Sequence, residues 1–525
     1  MRSIAAVLAA TAFGATALTA VPAAAEPAAA PGYTPPPITW GPCHTSGLGS
    51  AECGFLVVPM DYARPGAEKV RIAVSRVKHT AAEYQGVMVV NPGGPGASGL
   101  GLARLGRSVP HKAGDGYDWV GFDPRGVGDS EPKITCDGNY TSYARPPYVP
   151  SAPGVESAWL ARTKGYADAC AKNGAILEHV KTVDVAQDME SLRKALGEKQ
   201  LNYYGFSYGT YLGQVYSTLY PEHVRRMVLD GNVDPQRIWY RSNFDQDAAF
   251  DRTIKVYFDW LAKYDGIYHL GKTGAEVQQL WYDQRARLDN APAGGKIGGS
   301  EWTDIFLKAG YYVFGWQGMA DAFAGWVHRG DWQPLKKLYD EANPQGDDNG
   351  YAVYASVQCT DAPWPKNWHR WRSDSWRTHF RAPFETWGNT WFNAPCANWP
   401  ATSGHPVRVD GSKVSAALLI SEELDAATPY EGSLEVRTLF PRSSLISAPG
   451  GTTHAGSLSG VACVDDKVAA YLATGALPER TAGHGSDVQC EPVPPPVPTA
   501  GKAKPKADSP AQQPVQRVLA DLPRF

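Results

Sequence analysis

"LNYYGFSYGTYLGQVYSTLY", residues 201–220, passes from strand-like into helix-like residues, with Gly205, Ser207 and Gly209 in a G-x-S-x-G arrangement at the change. The first six residues predict a buried strand, and the apolar side chains that follow have helical spacing up to Pro221. A strand, a sharp turn and a helix in this order hold a serine hydroxyl above the edge of a sheet. The stretch therefore predicts that Ser207 is a catalytic nucleophile, provided that the chain supplies a base and an acid.

Strand-like and helix-like stretches alternate around this turn, from about residue 55 to residue 234. The strand candidates are rich in β-branched and aromatic residues with little polar alternation, which is typical of strands buried on both faces. Between them, residues 183–197 have helical spacing and end at Gly197. The pattern predicts an α/β fold with a mostly parallel sheet, whose strands are "FLVVPM", "KVRIAVSRV", "GVMVVN", "DWVGFD", "LNYYGF" and "VRRMVLD".

The composition changes after residue 234. Residues 235–405 contain 14 of the 17 tryptophans and few strand-like runs, whereas "VSAALLISEELD" and "SSLISAPGG" later resume the strand pattern. The last segment is rich in proline and poor in large apolar residues, which favours an unpacked extension. We expect a first core part over 41–234, an inserted helical cap over 235–405, a second core part over 406–490 and a flexible tail over 491–525.

The N-terminus predicts export. Residues 1–25 combine an early arginine, an alanine-rich apolar run and an A-x-A frame, as a secretory signal peptide does, and residues 26–40 are expected to be an N-terminal segment or a pro-segment. Eight cysteines, an even number, fit the oxidising environment of a secreted, extracellular protein, and pairing between sequence neighbours is the simplest hypothesis. With 50 basic and 53 acidic side chains and no basic run, neither nucleic acid nor a membrane is an expected partner, and we expect a monomer.

A serine nucleophile needs a general base and an acid that orients it, in the chain order Ser, Asp, His. His454 lies in the small-residue loop "SAPGGTTHAGSLSG" between the last strand and the closing helix, with His405 and His484 as weaker alternatives. Asp425 ends the preceding strand in "LDAATP", and Asp230, which ends an earlier strand, is a rival. We prefer His454 and Asp425 because both follow the nucleophile at the ends of successive strands.

Acyl transfer also needs backbone donors for the oxyanion. The Tyr208 amide follows the nucleophile, and the loop "NPGGPG" after an earlier strand offers the Gly94 amide as the second donor. The same loop contains G-x-G-x-x-G at Gly94, Gly96 and Gly99, with Asp123 ending the next strand, so a dinucleotide site is an alternative. It is the weaker one, because the prolines of the loop remove amide donors that a pyrophosphate would use.

Together, "NPGGPGASG", "GFDPRGVGDS", "GFSYGT", "VLDGNVDP", "LDAATPY" and "THAGSLSG" resemble the secreted bacterial tripeptidyl aminopeptidases, a branch of the α/β-hydrolase serine peptidases related to prolyl aminopeptidases. The resemblance implies an α/β-hydrolase fold with a helical cap, the triad Ser207, Asp425 and His454 rather than Asp230, and no metal or cofactor. It further implies release of tripeptides from free N-termini of peptides or proteins. A secreted carboxylesterase, or a prolyl or dipeptidyl aminopeptidase with the same triad, is the alternative, because substrates transfer less well than folds.

An exopeptidase that acts on N-termini needs an anionic group for the substrate ammonium. Glu422 and Glu423 lie close before the predicted acid of the triad, and Asp361 lies in "SVQCTDAPWP" within the predicted cap. These three carboxylates are the candidates that the sequence offers for this role.

Overall fold

In a computed structural model that describes residues 33–45 and 47–498, ten strands form one sheet. The strands are β1 (Gly41–Pro42), β2 (Glu52–Pro59), β3 (Lys69–Val77), β4 (Val87–Asn91), β5 (Asp118–Phe122), β6 (Leu201–Phe206), β7 (Val224–Asp230), β8 (Ala417–Glu422), β9 (Ser443–Ala448) and β10 (Val488–Gln489). Their order across the sheet is β1-β2-β3-β5-β4-β6-β7-β8-β9-β10. The predicted signal peptide, residues 1–25, and residues 499–525 lie outside the described residues.

Strand direction divides this sheet into two parts. The pairs β1/β2, β2/β3 and β3/β5 are antiparallel, whereas every pair from β5 to β10 is parallel. The prediction of a mostly parallel sheet is thus confirmed, with an antiparallel edge of three strands added. In the parallel part the carboxyl ends of β4, β6, β7, β8 and β9 meet at one edge, which is where α/β sheets bind ligands.

The sheet is buried on both faces, as its strand sequences predict. Val87 and Val89 of β4 belong to one apolar cluster, whereas Met88 and Val90 belong to the other, and all four are at most 2% exposed. Because both faces are covered, neither set of alternating residues has to be polar. Numbered together with the helices of the insertion described below, the core helices are α1 (Val155–Cys170), α2 (Thr182–Ala195), α3 (Tyr208–Leu219), α13 (Tyr430–Leu439) and α14 (Ala462–Thr474). The helices α2 and α3 cover the first face of the sheet, and α14 covers the second.

Helices alone fill the described chain between β7 and β8, apart from short 3₁₀ turns and one isolated bridge. We call this insertion the cap. Most of its tryptophans are core residues: the rings of Trp281, Trp302, Phe306 and Phe323 pack at centroid distances of 4.6 to 6.1 Å. Its helices are α4 (Tyr240–Lys263), α5 (Asp265–Tyr268), α6 (Gly274–Asn290), α7 (Gly299–Tyr311), α8 (Trp316–Arg329), α9 (Gln333–Ala342), α10 (Asn349–Asp361), α11 (Trp368–His379) and α12 (Thr386–Asn393).

Four disulfides use all eight cysteines, and each joins one cysteine to the next cysteine along the chain. No helix within the described ranges has the length and apolarity that a membrane span needs. The pairs are Cys43–Cys53, Cys136–Cys170, Cys359–Cys396 and Cys463–Cys490.

The start of the proline-rich tail is packed, which corrects the expectation of an unpacked extension from Glu491 onward. Val493 is 7% exposed and its amide donates to Glu422 Oε1 at 2.8 Å, while Trp260 Nε1 of the cap donates to the Pro496 carbonyl at 3.0 Å. The low apolar content of the segment suggested otherwise, but its backbone makes hydrogen bonds, and Val493 and Pro498 are buried. Residues 491–496 therefore link the cap to the sheet.

A chain that ends at Cys490 should unfold at a lower temperature than a chain that ends at Pro498. The shorter chain loses one buried valine and two hydrogen bonds, which together contribute about 2–4 kcal/mol to stability. Calorimetry of the two proteins measures the difference, and only residues 491–498 distinguish them. Equal melting temperatures would contradict a structural role for this segment.

Candidate active site

The turn at Ser207 is held in a strained backbone conformation. Its φ of 56° and ψ of −128° are rare for a residue other than glycine, and its amide donates to the Asp230 carbonyl on β7 at 3.0 Å. A Cβ at Gly205 would lie 2.5 Å from the Gly209 carbonyl oxygen, and one at Gly209 would lie 2.6 Å from the Asn91 carbonyl oxygen. The close approach therefore requires glycine on both sides of the serine, as the sequence predicts.

Asp425 and His454 form a buried hydrogen-bonded pair. The carboxylate Oδ2 lies 2.8 Å from His454 Nδ1, and the two side chains are 0% and 2% exposed. Asp425 is also held by the amides of Ala427 and Thr428, at 2.9 and 3.1 Å, and by the Thr428 hydroxyl, which donates to Oδ2 at 2.8 Å. A carboxylate at Nδ1 places the ring proton there and leaves Nε2 as an acceptor.

The His454 ring lies beside the turn that carries the serine. A Cβ at Gly231, the residue after Asp230, would lie 3.1 Å from His454 Cε1, and Asp230 in turn accepts the Ser207 amide. In the described part of the chain His454 Nε2 has no hydrogen-bond partner, although it is buried. The structure thus brings Ser207, Asp425 and His454 to one edge of the sheet, while the alternatives His405 and His484 lie in exposed loops.

Asp230, the rival acid, serves a different contact. Its Oδ2 accepts the amide of Ser457 at 2.8 Å, and the Ser457 hydroxyl pairs with Tyr204 at 2.7 Å. Burial raises the pKa of Asp230 to about 6. Asp230 therefore holds the loop that follows His454 rather than the imidazole itself.

The glycine-rich loop after β4 lies directly over the serine turn. A Cβ at Gly93 would be 2.9 Å from Ser207 Cβ and 3.0 Å from the Tyr208 nitrogen, and Gly94 lines the same cavity as Ser207 and Tyr208. The Tyr208 amide is the first of α3, where no preceding turn accepts it. Gly96 in the same loop packs against the cap, because a Cβ there would lie 2.4 Å from the Gly350 carbonyl oxygen.

The glycines of the alternative dinucleotide fingerprint have packing roles. A Cβ at Gly99 would lie 2.3 Å from the Phe122 carbonyl oxygen, so this glycine lets the loop approach β5. Asp123 accepts the Gly99 amide and the Ser98 hydroxyl, at 3.0 and 2.6 Å, and burial raises its pKa to about 6. Because this carboxylate holds the glycine-rich loop and the Asp129 amide, it has a structural role, which argues against the dinucleotide alternative.

A cavity of about 470 Å³ lies between the serine turn and the cap. The core contributes Gly94, Ser207 and Tyr208, whereas the cap contributes residues that the sequence analysis did not single out. Among the described residues, no group of three or more His, Cys, Asp or Glu is arranged to hold a metal ion. The charged and polar lining side chains of the cap and of the loop after β7 include Asp234, Arg237, Asn243, Asp245, Gln246, Arg252, Gln358, Glu385 and Asn389, and Glu431 of α13 joins them.

Asp361, one of the three predicted ammonium carboxylates, does not line this cavity. Its two oxygens accept the amide and the hydroxyl of Thr182, both at 2.6 Å, and Trp239 Nε1 at 3.2 Å. Burial raises the pKa of Asp361 to about 6. The carboxylate thus ties the cap helix α10 to the start of α2, a role that its position in the sequence does not reveal.

Glu422 and Glu423, the other two candidates, also lie outside the cavity lining. Glu422 is buried beneath the loop before His454, where its carboxylate accepts the amides of Thr453 and Val493. Glu423 accepts the Ser447 hydroxyl of the neighbouring strand at 3.0 Å. Closeness to Asp425 in the sequence misled this prediction, because the turn between them directs their side chains to different sides.

Comparisons with known proteins agree with this geometry. A family model described as the alpha/beta hydrolase fold matches residues 86–451. The chain belongs to the α/β-hydrolase family. A tripeptidyl aminopeptidase of Streptomyces lividans is 43% identical over 463 residues, which cover 84% of each chain. The serine protease Hip1 of Mycobacterium tuberculosis is 33% identical over 84% of this chain and 90% of its own, and a carboxylesterase B of the same species is 31% identical over 84% and 89%.

These relatives confirm the resemblance to tripeptidyl aminopeptidases, and with this fold they identify the chain as a serine hydrolase of the peptidase type. In α/β-hydrolases the nucleophile follows a strand in the middle of the sheet, and here β6 lies between β4 and β7. The position of Ser207 therefore agrees with the family in both sequence and topology.

Replacing Thr428 with valine should lower kcat about tenfold. The change removes a hydroxyl that donates to Asp425 Oδ2 and keeps the shape of the side chain, and a hydrogen bond to a charged group contributes about 1.5 kcal/mol. Steady-state kinetics on a chromogenic ester measures it. Thr438→Val, which alters an exposed threonine on helix α13 shortly after Thr428 in the chain, is the control. Equal rates for the two variants would contradict a positioning role of Thr428.

The raised pKa of the buried Glu422 carboxyl predicts how the stability of the fold depends on pH. Burial raises its pKa to about 8, so the folded state holds this proton over a pH range in which the unfolded carboxyl releases it. Its contribution to stability is therefore complete below the unfolded pKa of about 4.3 and is lost as pH rises to about 8.

Glu422→Gln should accordingly lose less stability than the wild type between pH 5 and pH 8, by at least the ~1.4 kcal/mol of one pKa unit. Denaturant unfolding of both proteins at the two pH values measures the difference. Because other buried acids titrate identically in both proteins, they cancel in the comparison. Parallel pH profiles would show that the Glu422 carboxyl does not hold this proton.

Proposed function

We propose that the protein is a secreted serine exopeptidase that releases tripeptides from the free N-termini of peptides or proteins. The observation that carries the proposal is the 2.8 Å pair of Asp425 and His454 beside the strained Ser207 turn, on the floor of a capped cavity. The 43% identity to a tripeptidyl aminopeptidase over 84% of the chain supports the substrate class. Four disulfides and the signal-like N-terminus support export.

The reaction proceeds by acyl transfer. Ser207 Oγ attacks the carbonyl carbon of the scissile amide while His454 Nε2 takes the hydroxyl proton, and Asp425 stabilises the imidazolium. The amides of Gly94 and Tyr208 bind the oxyanion. His454 then gives its proton to the leaving amine, and the acyl-enzyme on Ser207 is hydrolysed by a water that His454 deprotonates. No step requires a metal or an organic cofactor.

The cap accounts for exopeptidase rather than endopeptidase action. It covers the serine turn with α4, α10 and α12, and the enclosed space of about 470 Å³ falls in the range of pockets that bury a ligand of drug size. A folded protein surface cannot enter such a space, whereas an extended chain end can. We therefore assign the cap the role of stopping the substrate a few residues beyond the scissile bond.

The alternative is a carboxylesterase with the same triad, which the 31% identity to a carboxylesterase B favours. A tripeptide p-nitroanilide with a free amine and its N-acetylated form separate the two activities. We expect the free peptide to be cleaved at least 100-fold faster, and mass spectrometry of a longer peptide to detect an intact tripeptide as the first product. Equal rates on both forms, together with fast ester hydrolysis, would favour the esterase.

Ser207→Ala should abolish both hydrolysis and labelling by a serine-directed fluorophosphonate, without lowering the melting temperature. Ser217→Ala is the matched control, because Ser217 is buried on helix α3, which follows Ser207, and its hydroxyl donates to the Gln214 carbonyl within that helix. This control should keep labelling and activity. Labelling that survives in Ser207→Ala would place the nucleophile elsewhere.

A further inference from the structure

The cap side of the cavity carries buried acceptor groups that the mechanism above does not use. Glu385 precedes α12 and Gln358 lies on α10, and these side chains are 4% and 5% exposed although both line the cavity. Of the four carboxylates that line the cavity in the described ranges, only that of Glu385 is buried. The other three, Asp234, Asp245 and Glu431, are half-buried or exposed.

The side-chain oxygen of Gln358, Oε1, lacks a hydrogen-bond donor among the described residues. Within the described residues this oxygen is buried and has no hydrogen-bond partner. A buried acceptor without a partner costs about 1–3 kcal/mol, so such groups are rare unless a ligand or water satisfies them. Because Gln358 lines the substrate cavity, a donor group on the substrate can form the hydrogen bond that Gln358 Oε1 lacks.

A second carboxyl group, that of Asp247, lies next to Glu385 at this wall. Asp247, which is 1% exposed, lies behind the cavity lining, and its carboxylate accepts Asn389 Nδ2 at 2.8 Å. Burial, and next the charge of Glu385, raise the pKa of Asp247 well above its ordinary value. Two neighbouring carboxylates in a buried setting favour a cation between or beside them.

The remaining lining carboxylates fit a cationic ligand less well. Asp245 is paired with Arg237, whose Nη2 donates to Oδ1 at 2.7 Å. Asp234 accepts the Gln236 amide at 2.9 Å within its own loop, and Glu431 is exposed, where water screens its charge. Glu385 is therefore the lining carboxylate at which a cation would be desolvated and most strongly bound.

We propose that Glu385 and Gln358 bind the α-ammonium group of the substrate, with the Asp247 carboxyl group packed behind Glu385. This assignment rests on the proposed function and replaces the three carboxylates that the sequence suggested. An ammonium has three N–H donors, of which one reaches the Glu385 carboxylate and another reaches Gln358 Oε1. Tyr354 and Phe392, whose rings lie 4.9 Å apart in the same lining, supply aromatic surface beside the cation.

This subsite also gives the peptide a direction. Ser207 and Gly94 are on the core side of the cavity and Glu385 and Gln358 are on the cap side, so a bound peptide crosses from one side to the other. The chain end is held at the cap and the scissile carbonyl at the serine. The span between the two sides, rather than a side-chain pocket, then sets how many residues are released.

Glu385→Gln tests the proposal, because it removes the charge and keeps the size of the side chain. For a tripeptide p-nitroanilide with a free amine we expect kcat/KM to fall about 100-fold, mainly through KM. Hydrolysis of p-nitrophenyl acetate, which has no ammonium group, and fluorophosphonate labelling of Ser207 should stay at the wild-type level. Glu341→Gln, which neutralises an exposed carboxylate of the cap outside the cavity lining, is the matched control and should change neither activity.

Gln358→Met is a second variant, which removes the Oε1 hydrogen-bond acceptor and keeps a side chain of similar size. We expect the same selective loss on the free peptide, about tenfold. Absent fluorophosphonate labelling would indicate that Glu385→Gln does not fold. In that case the test is the ratio of the rates of Gln358→Met on free and N-acetylated peptides. A ratio below that of the wild type supports the ammonium site, and a wild-type ratio overturns it.

The two proposals fail in different ways. A wild-type enzyme that cleaves free and N-acetylated peptides equally would overturn the proposed function, and the ammonium site with it. A wild-type enzyme that prefers the free amine, together with Glu385→Gln that keeps this preference, would overturn the ammonium site alone.

Discussion

Parallel pairing of β4, β6, β7, β8 and β9 is the constraint on which the rest of this structure depends. Because the carboxyl ends of parallel strands meet at one edge, the loops that follow these strands become neighbours although they are up to about 360 residues apart in the chain. These loops and strand ends carry Gly94, Ser207, Asp230, Asp425 and His454. The cap is inserted between β7 and β8, at the same edge, and therefore lies over the serine without disturbing the sheet.

Burial alone does not decide what an acid does at this edge. Asp230 and Asp425 are both 0% exposed; Asp230 is the last residue of β7, and Asp425 lies in the turn that follows β8. Asp425 accepts two amides, a threonine hydroxyl and the imidazole, whereas Asp230 accepts the amide of Ser457 in the loop that follows His454. Asp425 thus holds the imidazole of His454, and Asp230 holds the loop that follows this histidine. The two carboxylates thus support one histidine from different directions.

The cap was predictable as a unit but not in its contacts. Its tryptophan content and lack of strand-like runs indicate a helical insertion, and most of its tryptophans indeed fill its own core. Which cap side chains face the serine depends on how α4, α10 and α12 pack, and no local spacing encodes that. Hence Asp361, which the sequence suggested, ties two helices together, whereas Glu385 and Gln358, which it did not suggest, line the cavity.

The amino-acid sequence by itself determined the strands of the parallel core, the serine turn with its two glycines, and the order in which Ser207, Asp425 and His454 follow one another after successive strands. Each of these follows from local spacing, from backbone sterics or from the connectivity of parallel strands, which act within short stretches of chain. Only the tertiary structure decided what the rival acid Asp230 binds, which carboxylates face the cavity beside Ser207 and how residues 491–496 join the cap to the sheet. Those outcomes depend on contacts between residues far apart in the chain, where a small rotation of a strand end or helix changes the partner.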